Sequence, residues 1–225
     1  MICPEPRCLR AWLIVLAGLA GCASTPLPAD SAAAPLARGA VAGAPATGTM
    51  PADAFLAALA RHCGRAYAGR IVANTPAPAT PDAFAGKTLV MHVRGCDDPV
   101  RGLRIPFHVG DDRSRTWVLM RTDTGLRLKH DHRHSDGSPD AVTMYGGDTV
   151  TPGTPRRQEF PVDAESIAMF QVEGLTASVT NTWAMEVDPG KRLLYELSRP
   201  GGRLFQVEFD LTAPIEPPPP PWGDI

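Results

Sequence analysis

The residues with the most chemistry in this chain are three histidines, His130, His132 and His134, in the run Leu126-Arg127-Leu128-Lys129-His130-Asp131-His132-Arg133-His134. Side chains of an extended strand alternate between its faces, so the three imidazoles share a face with Leu126 and Leu128. Arg127, Lys129, Asp131 and Arg133 take the opposite face. An H-x-H pair on a strand can share one zinc or copper ion, with a third ligand from a neighbouring strand. The nearest further donors are His92 and His108, each on a strand of unknown register. The same spacing also fits imidazoles that are solvated or hydrogen-bonded at a hairpin end, or that contact some other ligand. No H-E-x-x-H, four-cysteine set or carboxylate-rich calcium loop accompanies them, which speaks against a catalytic metal.

Other catalytic patterns are missing from the sequence. It contains no G-x-S-x-G elbow, and Ser135 follows His134 directly, which on a strand puts the two on opposite faces. Tyr145-Gly146-Gly147-Asp148 lacks the lysine of a phosphate loop and reads as a strand end or bulge. Asp136 and Asp140 flank Gly137 and Pro139 and read as turn-formers. Trp117 and Trp183 read as core or rim aromatics that become ligand stackers only around a real cavity. We assign no catalytic residue and expect binding rather than catalysis. The formal net charge of −2 and a pI near 6.3 offer no basic field, which removes nucleic acid from the partners.

The elements that must hold these residues begin with one helix. Phe55, Leu56 and Leu59 share its face, Asp53 lies in the first turn, Arg61 and His62 in the last, and Gly64 follows; His62 reads simply as a C-terminal helix residue. The period then changes to two, and candidate strands cover 65–73, 87–95, 103–109, 115–122, 125–134, 141–146, 176–187, 192–198 and 203–211. Short turns such as Gly110-Asp111-Asp112 and Asp188-Pro189-Gly190 join antiparallel neighbours. In the last strand Phe205, Val207, Phe209 and Leu211 take one face and Leu204, Gln206, Glu208 and Asp210 the other, so one face is packed and one is wet. Asp163-Ala164-Glu165-Ser166 is spaced to cap a short interrupting helix. The predicted fold is all-β: an antiparallel up-and-down barrel of about eight to ten strands with an N-terminal helix, closure removing the sheet edges. A two-sheet sandwich is the alternative.

The ends of the chain carry an address. Arg7 and Arg10 precede an uncharged run, Ala11 to Ala20, in a signal-peptide pattern. The run is too short to span a bilayer, which takes about 20 apolar residues. It ends in Leu19-Ala20-Gly21-Cys22, which resembles the lipobox of bacterial lipoprotein precursors. That resemblance implies a diacylglyceryl group on Cys22, cleavage after Gly21 and acylation of the new amino terminus. Ala23 rather than aspartate follows, which by the same resemblance implies the outer membrane, facing the periplasm. Cys3 and Cys8 then leave with the signal peptide and Cys22 is lipidated, so Cys63 and Cys96 remain as a pair. In an oxidising periplasm such a pair most simply forms a disulfide, although a redox pair or metal site stays open. The domains expected are a signal peptide at 1–21, a lipidated flexible tether at 22–49, a barrel at 50–212 and a Pro-rich disordered tail at 213–225.

A helix ending at Gly64-Arg65-Ala66-Tyr67-Ala68-Gly69 and followed by a β-meander resembles the calycin barrels, the lipocalin and fatty-acid-binding-protein group. The resemblance is one of layout: Tyr67 stands where lipocalins carry the tryptophan of Gly-x-Trp. The chain also resembles proteobacterial secreted proteins that carry a Lys-His-Asp-His-Arg-His segment. Together these readings predict a membrane-anchored envelope lipoprotein that binds a small, largely apolar ligand. The alternatives are a structural or interaction lipoprotein with a filled barrel, and a metal-binding protein or metal-dependent enzyme using His130, His132 and His134.

Overall fold

In the computed structural model, which describes residues 49–77 and 82–224, the chain enters through helix α1, Pro51–Ala60. Its first-turn proline has no N–H to leave unpaired, and Asp53 sits at the positive end of the helix dipole. Phe55, Leu56 and Leu59 are fully buried, each contributing about 1.5–3 kcal/mol of apolar burial. Gly64 ends the turn at φ +77°, a conformation that side chains with a Cβ rarely adopt.

Ten antiparallel strands follow. The first half holds β1 (Ala66–Thr75), β2 (Leu89–His92), β3 (Gly102–Val109), β4 (Asp112–Arg121), β5 (Leu126–His132) and β6 (Tyr145–Asp148). The second half holds β7 (Arg157–Pro161), helix α2 (Ala164–Val172), a 3-10 turn at Thr176–Thr180, β8 (Thr182–Asp188), β9 (Arg192–Arg199) and β10 (Arg203–Ile215). The sheet order is β6-β5-β4-β3-β2-β1-β10-β9-β8-β7. Every sequential pair except β6 and β7 is laddered, and β1 pairs with β10, so the meander curls into a nearly closed ten-stranded barrel. One continuous sheet in cyclic order replaces the sandwich alternative.

The seam between β6 and β7 is closed by side chains and loop backbone. Ser166 Oγ accepts the Gly146 N–H at 2.8 Å, and the Asp163 N–H donates to the Gly146 carbonyl at 2.9 Å. Asp163 also caps α2, accepting the Ser166 N–H at 2.8 Å, and takes the buried Lys129 ammonium at 2.7 Å. Strand and loop approach so closely that a Cβ on Gly147 would lie 1.8 Å from the Pro161 carbonyl oxygen. Only glycine fits there.

Register stacks the interior into layers. Leu103, Leu119, Leu128 and Gly147 lie side by side across β3 to β6; above them come Ile105, Trp117, His130 and Tyr145, and then Phe107, Arg115 and His132. The opposite wall carries Phe160, Trp183, Leu197 and Phe205 in one row and Met185, Tyr195 and Val207 in another. Helix α1 packs against β3, β7 and β8, and Asp53 pairs with Arg121 at the end of β4. The helix therefore plugs the aliphatic end, and the polar layer lies at the other.

Cys63 and Cys96 are disulfide-bonded, with Cα atoms 6.1 Å apart. Four expectations need correction. Strand β7 was not expected, and Thr176–Thr180 turns as a 3-10 helix instead of opening a strand. Ala141 to Met144 is irregular and outside any strand, with β6 starting at Tyr145. The 213–225 tail is not free: β10 runs through Ile215, and the prolines after it are held on the barrel's outside. The Trp222 N–H donates to the Arg113 carbonyl at 3.0 Å, Arg113 donates to the Pro220 carbonyl at 2.9 Å, and Asp224 pairs with Arg94 at 2.6 Å. The signal peptide and Cys22 lie outside the described residues, as does nearly all of the tether.

Candidate functional site

The polar layer borders a cavity of about 460 Å³ at the end of the barrel away from α1. Its rings are ordered by strand register. Trp117 stacks on Tyr195 at 4.4 Å between centroids and on Phe107 at 4.9 Å, and Phe84, from the segment after β1, continues the stack beyond Phe107 at 5.9 Å. Trp183 and Phe205 close the other side. A volume of this size lies within the ~300–1,000 Å³ range of small-molecule sites.

His130 and His132 project into this cavity, as the alternation on their strand predicts. His130 is 5% exposed, and both of its ring nitrogens are engaged. Nδ1 faces the Tyr145 carbonyl at 3.1 Å; a carbonyl only accepts, so Nδ1 carries the proton. Nε2 is then the bare nitrogen and accepts from the Tyr195 hydroxyl at 2.8 Å. One residue further out on the same face, His132 Nε2 shares a 3.2 Å hydrogen bond with the Tyr145 hydroxyl.

Burial is the first cause of every titration shift in this cluster. It takes the His130 pKa down to about 3, with the neighbouring His132 adding to the effect. His132 falls to about 4 through burial and the charge of Arg115. Burial pushes Tyr145 up to about 12 and Tyr195 well above its ordinary value. Near neutral pH the cluster is uncharged: two phenols and two imidazoles, of which His130 is fully engaged within the protein while the Tyr145 hydroxyl and His132 can face a polar group on a ligand. An imidazole with a pKa of about 3 is a poor base at pH 7, because an efficient general base has a pKa near the working pH.

His134 does not join them. Strand β5 ends at His132, and His134 stands on the following turn, 57% exposed, with Nδ1 4.0 Å from Asp140. His108 and His92 are no help as further ligands. His108 alternates with the core residues Phe107 and Val109, and His92 with Met91 and Val93, so both lie on the barrel's outer face. Among the described residues no three His, Cys, Asp or Glu side chains converge as a metal set. Zinc or copper on His130 would have to displace the Tyr195 hydroxyl. His62, expected as an ordinary helix-end residue, is buried, with Nδ1 2.6 Å from the Tyr67 hydroxyl. Asp136 and Asp140 do shape the turn, accepting the backbone N–H groups of Ser138 and Val142.

Several lining residues were not singled out from sequence. Tyr195 shares the apolar parity of Leu193 and Leu197, and Arg115 shares that of Trp117, so a polar group on a core-facing row was the available signal. Arg115 pairs with Asp112 and lies over the Phe84 ring, 5.5 Å from its centroid. Arg203 lies over Phe205 at 5.7 Å. Asp82, the lining carboxylate, is occupied by the Phe84 N–H at 2.8 Å and by the Asn74 amide. No family model, curated protein or solved structure matches the chain.

Proposed function

We propose that this protein is a lipoprotein of the bacterial envelope, anchored through Cys22 to the outer membrane, whose barrel binds a small, largely apolar ligand from the periplasm. The observation that carries the binding reading is the 460 Å³ cavity walled by Phe107, Trp117, Trp183, Tyr195 and Phe205. Its inner layer holds neutral hydrogen-bonding groups. An apolar ligand gains area burial and ring stacking there, while one polar atom finds a partner in the His–Tyr pairs. The weak basicity of His130 favours binding over proton-transfer catalysis.

Native mass spectrometry of the full chain, isolated from membranes in mild detergent, tests the reading. A retained small molecule at one per chain supports it; a cavity that holds no organic molecule and takes none when offered a panel of apolar compounds points to a structural envelope lipoprotein. The anchor is tested separately. Cys22→Ser should release the domain from membranes or leave an uncleaved precursor, and equal membrane recovery with wild type would overturn it.

A further inference from the structure

Two arginines at the hairpin beside the cavity mouth, Arg199 and Arg203, have no carboxylate partner among the described residues. Strands β9 and β10 meet in a tight hairpin in which Arg199 and Arg203 stand directly opposite each other. Like charges facing across an antiparallel pair repel, and a chain that only needed a turn here would gain by placing a carboxylate at one of the two positions. Both have the parity of the inward row, Arg199 following Tyr195 and Leu197 and Arg203 preceding Phe205 and Val207; Arg203 lines the cavity itself, and Arg199 stands beside it, outside the lining. Neither pairs with a carboxylate among the described residues. Arg199 Nε donates to the Asn181 amide oxygen at 2.5 Å, and Arg203 Nη1 donates to the Asn74 amide oxygen at 2.6 Å. These neutral acceptors orient the guanidinium groups without cancelling their charge. Burial and the charge of Arg203 together lower the Arg199 pKa from its ordinary value, as expected of two cations held close with no carboxylate bonded to either.

Arg115, the third cation of the mouth, already has Asp112; Asp82 is held by the neutral Asn74 amide and the Phe84 N–H, so its charge offsets one of the two remaining cations and one positive charge is left over. The unmatched charge is thus concentrated at one hairpin, beside a wall of rings. Resting on the cavity reading above, we infer that the ligand is an amphiphilic anion: a compact apolar, ring-bearing body seated against Trp117 and Trp183, with an oxyanion (carboxylate or sulfonate) held at the mouth by Arg203 and Arg199. Guanidinium groups suit this task, since their planar donors match two oxygens at once.

Two dyes with the same rings and different charge separate the parts of the proposal. Anilinonaphthalene sulfonate is the anion and N-phenyl-1-naphthylamine its neutral counterpart; each is titrated into the full chain and followed by fluorescence. Wild type should bind the anion about tenfold more tightly, a preference corresponding to roughly 1.4 kcal/mol, and the preference should shrink with added salt. The double variant Arg199→Gln/Arg203→Gln, confirmed folded by circular dichroism, should lose the preference, binding the two dyes equally, whereas Arg203→Lys should retain part of it. Inorganic sulfate should compete only weakly, because it lacks the apolar body. Equal affinity for both dyes in wild type, an unchanged preference in the double variant, or sulfate competing as strongly as the dye would overturn the inference and leave the cavity reading in place. Failure of the neutral dye to bind would overturn the cavity reading itself.

Discussion

Acid should destabilise this barrel in a pH range where its carboxylates are still ionised, because its buried histidines resist protonation. His130, His132 and His108 have folded-state pKa values of about 3, 4 and 4, against an ordinary 6.5. Burial is the first cause in each case. A histidine whose folded pKa is depressed binds fewer protons folded than unfolded, so its contribution is complete above 6.5 and is lost as pH falls below it. Between pH 7 and pH 5 the unfolded chain takes up about 0.7 proton per site and the folded chain almost none. At 1.36 kcal/mol per pKa unit, that is about 2 kcal/mol for each histidine and ~6 kcal/mol for the three. A domain stability of about 5–15 kcal/mol makes this a large fraction. Asp112, Asp131 and Asp163, all lowered from 3.8 by hydrogen bonds and arginine or lysine neighbours that outweigh burial, act only below this window. Urea denaturation at pH 7 and pH 5 measures the loss, and His130→Gln isolates one site. The variant should lose about 2 kcal/mol less than wild type over the same interval. Equal losses in the two proteins, or none in wild type, would refute the assignment of His130 as a buried neutral imidazole.

Other consequences follow from the seam, the tail and the disulfide. Gly147→Ala drives a Cβ toward the Pro161 carbonyl and should cost ~1–3 kcal/mol in urea unfolding, with hydrogen exchange rising in β6; unchanged exchange there would show that the seam does not depend on that close approach. His108 points outward yet is 3% exposed, and Arg94 and Arg113, which lower its pKa after burial and His92, are the residues that grip the tail. Deleting residues 216–225 should leave the barrel folded and move the His108 pKa from about 4 toward 6.5 by NMR titration; a value still near 4 would mean that the tail does not keep water from the ring. Replacing Cys63 and Cys96 by alanine opens a link across 33 residues and should lower stability by ~3–4 kcal/mol on the chain-entropy model, read in the same urea assay.

Much of the barrel was visible in the alternation of particular strands, and the losses have local causes. Strand β10, with Phe205, Val207 and Phe209 against Gln206 and Glu208, reads as half-buried without any tertiary information. Strand β7 is five residues long and ends in Pro161, too short a period and too strong a breaker to stand out. Thr176 to Thr180 carries β-branched residues, but it follows Gly174 at φ +71° and packs with α2 as a 3-10 turn, so tertiary context overrides propensity. His130 and His132 were placed on the correct face by period two; His134 was not, because the pairing of β5 stops at His132 and the Asp136-Gly137 turn takes over. The rest of the site was not legible because its partners are distant in sequence. His130 meets Tyr195 across 65 residues, and only barrel closure brings them together. The docking of the proline-rich tail is not legible in its composition, which reports an extended backbone and not what that backbone lies against.

The central claim is that the aromatic cavity is an open binding site. Its most direct test is a titration of the neutral dye N-phenyl-1-naphthylamine into wild type and into Leu197→Trp, which places an indole in the cavity from a lining position. With both proteins shown to be folded by circular dichroism, wild type should bind one dye saturably and the variant should bind at least ~10-fold more weakly, a loss of about 1.4 kcal/mol. Equal saturable binding by the two proteins, or no saturable binding by wild type, would contradict the claim.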